Sequence, residues 1–141
     1  MVYEEYEKDV EVIEEENEKY LECFYDDLVK HQLKPNTIRK HISNVAFYIN
    51  DFLNYYEPTE MKEGCYKIDE FLGDWFIRKA MWSNATTTKE NGASLKKFYK
   101  CMLEHHYIEK EDYDELCYMI KNNMSDWIES VNNFNNVDYF W

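Results

Sequence analysis

Residues 37–56 read TIRKHISNVAFYINDFLNYY, and they carry the clearest helical periodicity in the chain. Its apolar positions recur at intervals of four, three, four, three and four residues: Ile38, Ile42, Val45, Ile49, Phe52 and Tyr56. This spacing places them along one side of an α-helix. The helix is expected from about Thr37 to Tyr56, with Asn36 as its N-cap because Pro35 interrupts the chain just before it.

Four further segments carry helical signals. Helices are predicted over residues 3–32, 69–82, 87–106 and 110–131, with Asp69 capping the second of these and a Thr87-x-x-Glu90 capping box opening the third. Gly73 inside a helix costs about 1 kcal/mol relative to Ala, which indicates that a neighbouring helix approaches closely there. Only three Gly and two Pro occur in 141 residues. That scarcity favours a few long helices over many short strands, so an all-α fold is predicted.

The length predicts a single helical domain over residues 1–131. Residues 132–141 are predicted to form an Asn-rich, flexible tail that ends in three aromatic residues, Tyr139-Phe140-Trp141. Side chains of this kind are unfavourable in water. We therefore expect them to fold back onto the domain or to meet a partner.

The net charge of −13 is distributed unevenly. Residues 1–34 hold 12 acids and 4 bases, a net of −8, and residues 109–141 hold 8 acids and 2 bases, a net of −6. Residues 35–108 hold 9 acids and 10 bases, a net of +1. The simplest explanation of this distribution is that the acidic outer helices keep a Tyr-rich protein in solution.

Several classes of protein are disfavoured by what the sequence lacks. No apolar run approaches the roughly 20 residues of a membrane span, and the acidic N-terminus does not resemble a secretory signal. The four cysteines form no CxxC pair, which favours reduced thiols and a cytoplasmic protein. Neither a phosphate-binding glycine loop nor a nucleophile elbow is present, so we expect no enzyme activity and no cofactor.

A metal site has one weak signal. Cys101 and His105 are four residues apart and can share a helical face as ligands. No second pair with matching spacing accompanies them, so no metal site is predicted. His105-His106 more simply closes the C-terminal turn of its helix, where imidazolium suits the helix dipole.

Two stretches together resemble a known domain. Pro35-Asn36-Thr37-Ile38-Arg39-Lys40-His41-Ile42-Ser43-Asn44-Val45, continuing to Phe52-Leu53, is similar to the opening helix of the core-binding (SAM-like) domain of tyrosine recombinases, the phage integrases. Ala93-Ser94-Leu95-Lys96-Lys97-Phe98-Tyr99-Lys100, running to Tyr107-Ile108, is similar to the fourth helix of that domain. The resemblance covers about residues 33–108.

The resemblance implies a four-helix core of two crossed helical hairpins, here extended by the long acidic N-terminal helix and an added C-terminal helix. It also implies binding to double-stranded DNA, since the family domain forms one side of a clamp around the duplex. Carried over position by position, it implicates ten residues: Thr37, Arg39, Lys40, Asn44, Thr87, Thr88, Lys89, Lys96, Lys97 and Lys100. Lysines and helix N-termini suit phosphates, and Asn can address a base edge.

The chain departs from the family in two respects. Only 33 residues follow Ile108 and no His-x-x-Arg occurs, so the recombinase cleavage reaction is not expected. Glu90 stands near a position that is often basic in the family, and the acidic flanks oppose binding to phosphates.

Three hypotheses therefore stay open. The first is a non-catalytic DNA-binding module. The second is a protein-interaction or homodimerisation module on the same scaffold, using the first and last helices and the C-terminal aromatics. The third is an acidic DNA mimic that occupies a nuclease or repressor.

Overall fold

The computed structural model describes residues 2–137, and within that range the secondary structure is entirely helical. The α-helices are α1 (Val2–Lys30), α2 (Pro35–Ala46), α3 (Ile68–Glu70), α4 (Phe76–Lys79), α5 (Ala85–Glu104) and α6 (Lys110–Val137). Two π-helical segments, Phe47–Phe52 and Phe71–Trp75, and a 3-10 turn, Met61–Tyr66, complete the elements. The predicted all-α class is confirmed.

The N-terminus of α2 differs from the prediction. Its N-cap is Lys34, which is extended at φ −68° and ψ 147°, and Pro35 is the first helical residue. Proline suits that position because its missing N–H would have no partner there and its fixed φ matches the helix. Asn36 therefore lies inside the first turn instead of capping it.

The predicted second helix is α-helical only to Ala46, is π-helical over Phe47–Phe52 and ends there, four residues before the predicted end at Tyr56. In the Phe47–Phe52 segment, the Ile49 carbonyl accepts a hydrogen bond from Asn17 Nδ2 at 3.2 Å, and Asn50 Oδ1 accepts from the same nitrogen at 2.8 Å. Asn17 is the polar gap in the apolar stripe of α1, and it is buried. A side chain that bonds to a helix carbonyl in this way accompanies the local widening of the helix.

The two π-helical segments pack against each other through aromatic rings. The Phe71 ring lies 4.8 Å from the Tyr48 ring and 5.0 Å from the Phe52 ring, between centroids. Phe47 and Phe52 also contact Trp75, at 5.5 and 5.3 Å. Tilted and edge-on pairs at these distances are favourable, and this cluster is the centre of the hydrophobic core.

Two buried tyrosines hold the 3-10 turn against the core. Tyr48 donates its hydroxyl to the Gly64 carbonyl at 2.6 Å, and Tyr99 donates to the Met61 carbonyl at 2.7 Å. A Cβ atom on Gly64 would lie 2.1 Å from the Tyr99 hydroxyl and 2.9 Å from the Tyr48 ring. Only glycine fits at this position.

The third predicted helix is continuous from Ile68 to Lys79 but has three parts: α3, the second π-helical segment and α4. It ends earlier than predicted because Ala80 is extended, at φ −98° and ψ 113°. Asp69 does not cap it. The Asp69 carboxylate instead accepts a hydrogen bond from Trp127 Nε1 of α6 at 2.7 Å.

The capping box of α5 lies one turn earlier than predicted. Asn84 is the N-cap: its side chain accepts from the Thr87 N–H at 2.8 Å, and Thr87 Oγ1 accepts from the Asn84 N–H at 2.9 Å. Thr87 is therefore the third residue of the helix and not its cap. The observed Asn–Thr pair satisfies the N–H groups of residues 84 and 87, whereas the predicted Thr–Glu pair would have satisfied those of residues 87 and 90.

The last helix continues through Val137, so the first part of the predicted flexible tail is helical. Asn135 Nδ2 donates to the Ser83 carbonyl at 3.1 Å, which ties this end of α6 to the loop before α5. Tyr139-Phe140-Trp141 lie outside the described residues.

The core uses the apolar stripes of the outer helices. α1 packs on α2 and α5, and α6 packs on α3 and α5. Ile13, Phe24 and Leu28 of α1 are buried, as are Leu116, Trp127 and Val131 of α6. No helix within residues 2–137 combines the length and the apolar composition that crossing a membrane requires.

Candidate nucleic-acid interface

The two helices of the recombinase resemblance are direct neighbours, and a buried serine joins them. Ser94 of α5 accepts a hydrogen bond from Asn44 Nδ2 of α2 at 3.0 Å. Its hydroxyl also lies 2.7 Å from Nδ1 of His41, one turn earlier on α2. Burial lowers the pKa of His41, and the charge of Lys97 lowers it further. In the tautomer of neutral His41 that leaves Nδ1 unprotonated, Nδ1 accepts a hydrogen bond from the Ser94 hydroxyl, so one hydroxyl bonds to both α2 side chains.

The six predicted basic residues all lie on the surface: Arg39, Lys40, Lys89, Lys96, Lys97 and Lys100. On α5, Lys89, Lys96 and Lys100 follow one another at intervals of seven and four residues. These intervals correspond to about two turns and one turn, so the three side chains share one helix face. Thr37 is also exposed, so seven of the ten predicted residues lie on the surface.

Three of the ten predicted residues are engaged within the fold. Thr88 is fully buried, and its hydroxyl donates to the Asn84 carbonyl at 2.8 Å, so the assignment of Thr88 to a DNA contact is wrong. Thr87 serves the capping box, and its hydroxyl also donates to the Trp82 carbonyl at 3.0 Å. Asn44 donates a hydrogen bond from its side-chain amide to Ser94, so it helps to position α2 against α5.

The surroundings of these bases contain few acids. No Asp or Glu occurs from residue 28 to residue 50 or from residue 91 to residue 103, the stretches that contain α2 and most of α5. Within residues 2–137, the ion pairs involve Lys62, Arg78, Lys110 and His31. None of the six candidate bases takes part in one, so their charges are available to a ligand.

Acidic groups border this face on the side of α1. Lys97 and Lys100 line a cavity of about 220 Å³ together with Asp27 and Glu104. Arg39 lines a separate groove with Tyr25 and Val29 of α1, and it donates to Asn36 Oδ1. Lys40 on α2 and the pair Lys89 and Lys96 on α5 line neither of these two cavities.

The N-termini of both helices suit anions. Neither α2 nor α5 has an acidic residue in its first turn. No side chain accepts from the first N–H groups of α2, whereas Asn84 accepts from those of α5. Free N–H groups at a helix start carry a partial positive charge and bind phosphate oxygens.

A second group of chemically active side chains lies where α1 meets α5. Sγ of Cys23, Sγ of Cys101 and a ring nitrogen of His105 all lie within 4.8 Å of one another. Cys101 is buried, Cys23 is half-buried and His105 is exposed. The sequence identified only the Cys101 and His105 pair, since the partner thiol is 78 residues away in the chain.

Sequence reasoning also missed His41 and Ser94 as residues that orient the predicted face. Their signal was present in the small pair Ala93-Ser94, since small residues allow two helices to approach closely. Burial and the partner of Ser94 depend on the packing of α2 against α5, which no local pattern encodes.

The chain matches no protein-family model, no curated protein and no solved structure. The resemblance to the recombinase core-binding domain therefore stays a prediction.

Proposed function

We propose that this chain is a non-catalytic module that binds the phosphate backbone of double-stranded DNA through α2 and α5, in an arrangement like that of the recombinase core-binding domain. The observation that supports this most is the grouping of basic residues on two neighbouring helices, of which α2 contains no acidic residue and α5 contains only Glu90 and Glu104. Among the residues that the structure describes, the ion pairs include none of the six candidate basic residues, on a protein of net charge −13. A surface that only maintained solubility would need no such segregation of charge.

The side chains on this face are better suited to contact the phosphate backbone of DNA than the edges of its base pairs. The predicted base-edge reader, Asn44, is bonded to Ser94, and the remaining candidates are cations and a threonine at the start of α2. Lysines neutralise phosphates but carry little sequence information. We therefore expect binding that is strongly dependent on salt and nearly independent of sequence.

The expected affinity is modest. Sequence-independent DNA binding has dissociation constants of about 10⁻⁴ to 10⁻⁶ M near physiological salt, and the logarithm of the association constant falls with a slope of about −0.9 per phosphate neutralised. Four to six lysine or arginine side chains in contact with phosphates would give a slope of about −4 to −5. The acidic α1 and α6 weaken the attraction at long range, more so at low ionic strength where screening is poor.

The test is fluorescence anisotropy of a labelled duplex titrated with the full chain over a series of salt concentrations. The charge reversal Lys96→Glu with Lys97→Glu is compared with Lys110→Glu with Lys121→Glu on α6, which changes the net charge equally. We expect the α5 pair to weaken binding at least tenfold and the α6 pair to weaken it much less.

Equal losses in the two variants would show that net charge alone governs the interaction and would reject the α2 and α5 face. Absence of binding by the unmodified chain at about 10⁻⁴ M protein and low salt would reject DNA as the ligand, since non-specific binders are saturated under those conditions.

The alternative of a protein-interaction module has less support from the helices that suggested it. The apolar stripes of α1 and α6 are used in the core, so they are not available as a coiled-coil-like interface. Exposed apolar side chains nevertheless occur on the outer faces of both helices, among them Val12, Tyr25 and Val29 of α1 and Tyr118 and Phe134 of α6, and Met81 in the loop before α5 is almost fully exposed.

A further inference from the structure

The thiol and imidazole group between α1 and α5 is built from two helices. Cys101 and His105 are one turn apart on α5, and the His105 N–H donates to the Cys101 carbonyl at 3.0 Å, so the helical register holds through this pair. Cys23 approaches from α1, and Asp27 follows it by one turn. Each helix thus carries two potential ligands at a spacing of four residues.

We propose that Cys23, Cys101 and His105 form a binding site for one Zn²⁺ ion, which joins α1 to α5. The donor set of two sulfurs and one imidazole nitrogen is typical of zinc and is unsuited to Mg²⁺ or Ca²⁺, which bind oxygen. The site uses none of the residues of the proposed DNA contact, although Lys97 and Lys100 line the same cavity as Cys101 and Asp27.

The distances require only a small adjustment of side chains. Zinc–sulfur bonds of about 2.3 Å and zinc–nitrogen bonds of about 2.0–2.1 Å in a tetrahedron bring donor atoms to about 3.5–3.8 Å from each other. The three donor atoms already lie within 4.8 Å of one another. Even at the upper limit of 4.8 Å, a donor pair needs to approach by only about 1.0–1.3 Å to reach this range.

Asp27 or a water molecule supplies the fourth ligand. Asp27 lines the same cavity as Cys101, beside His31 and Glu104. Its carboxylate also lies close enough to both thiols to raise their pKa values by its charge, after the larger effect of burial. These carboxylates attract a cation, and exposed His105 leaves the site reachable from solvent.

Binding exchanges protons for the metal. Each thiol S–H bond breaks, its proton passes to the solvent, and an S–Zn bond forms, while neutral His105 donates a nitrogen lone pair. The oxidation states of zinc and sulfur do not change. Because two protons are released, the apparent affinity should rise up to about 100-fold per pH unit while both free thiols are protonated.

The test is a titration of the full, reduced chain with Co²⁺, which reports a thiolate site through a charge-transfer absorption and a tetrahedral site through intense visible bands. Zn²⁺ should then displace Co²⁺ and remove both signals at one equivalent per chain. We expect Cys23→Ser to abolish the charge-transfer absorption or halve it, and His105→Ala to weaken Co²⁺ binding at least tenfold.

Cys117→Ser is the matched control, since Cys117 is also a half-buried thiol but lies outside the cluster. It should leave the spectrum unchanged. His105→Ala alters an exposed side chain, so it tests the site in a chain that still folds, as circular dichroism can verify. A chain without the cobalt signal, or a signal that Cys23→Ser and His105→Ala leave intact, would overturn the proposal.

Discussion

Trp127 of α6 donates its indole Nε1–H to the Asp69 carboxylate of α3 at 2.7 Å, across 58 residues of sequence. The indole ring rests where Gly73 has no side chain: a Cβ atom there would lie 3.1 Å from the ring and 3.3 Å from Asp69 Oδ1. This is the close approach that the unexpected glycine predicted. One glycine, one carboxylate and one buried indole thus join α6 to the helix that starts at Ile68.

We expect Gly73→Ala to destabilise the protein even though alanine is the better helix former. The propensity gain is about 1 kcal/mol. The indole cannot move away to make room, because it is buried and held by Asp69. Overpacking costs about 1–3 kcal/mol, so a net loss of up to about 2 kcal/mol in the free energy of unfolding is expected, measured by urea denaturation.

Asp69→Ala separates the contribution of the Trp127–Asp69 hydrogen bond from that of the packing of the indole against position 73. Removing the carboxylate leaves the buried indole N–H without its acceptor, at a cost of about 1–3 kcal/mol. In the double variant Gly73→Ala with Asp69→Ala, the released indole can shift, so the combined loss should be smaller than the sum of the single losses. Additive losses would show that the ring does not respond to the added methyl group.

Gln32→Gly should stabilise the protein. Gln32 follows the end of α1 at φ 62°, in the left-handed region, with its N–H donating to the Val29 carbonyl at 2.9 Å. Glycine adopts this conformation without the Cβ clash, and a gain of about 0.5–1 kcal/mol is expected.

Lys34→Gly is the control for that change. Lys34 is two residues further on but has a φ of −68°, so glycine there relieves no left-handed strain. Thermal unfolding should show a higher melting temperature for Gln32→Gly and a smaller change for Lys34→Gly, where the added freedom of the unfolded chain opposes the preference of an N-cap for glycine. A lower value for both would contradict the assignment of strain to Gln32.

Gly73 and Thr88 show which features could be predicted from the sequence and which could not. Gly73 stands out against a helical pattern, so its close contact could be predicted, and the apolar stripe of residues 37–56 gave α2. The π-helical widening could not be predicted, because it depends on Asn17 reaching Ile49 from another helix. Thr88 was misassigned because it was placed in the capping turn, whereas it lies seven residues, about two turns, before buried Leu95 and shares the inward face of α5.

The stability should fall as the pH decreases through the range in which histidines titrate. Burial, with Lys97 beside it, lowers the pKa of His41 below its ordinary value of 6.5. The unfolded chain therefore takes up a proton from about pH 6.5 downward while folded His41 stays neutral, and stability is lost between that pH and the lower folded pKa. Urea denaturation from pH 5 to 7.5 measures this dependence.

His41→Gln should remove part of that pH dependence, since glutamine does not titrate and can still bond to Ser94. His106→Gln is the control, because His106 is exposed beyond the end of α5. If both variants kept the full slope, His41 would not be the titrating group.

Thr88 and Lys89 are adjacent in sequence but should respond in opposite ways to substitution. Thr88 is buried with its hydroxyl on the Asn84 carbonyl, whereas Lys89 is exposed on the face that Lys96 and Lys100 share. Thr88→Val should lower the free energy of unfolding by about 0.5–1.5 kcal/mol through the lost hydrogen bond and leave DNA affinity unchanged. Lys89→Gln should leave stability within about 0.5 kcal/mol and reduce the salt slope of DNA binding by about 0.9, the share of one phosphate contact. A DNA-binding loss in Thr88→Val at a temperature where the chain is fully folded would mean that the start of α5, and not its lysine face, contacts the duplex.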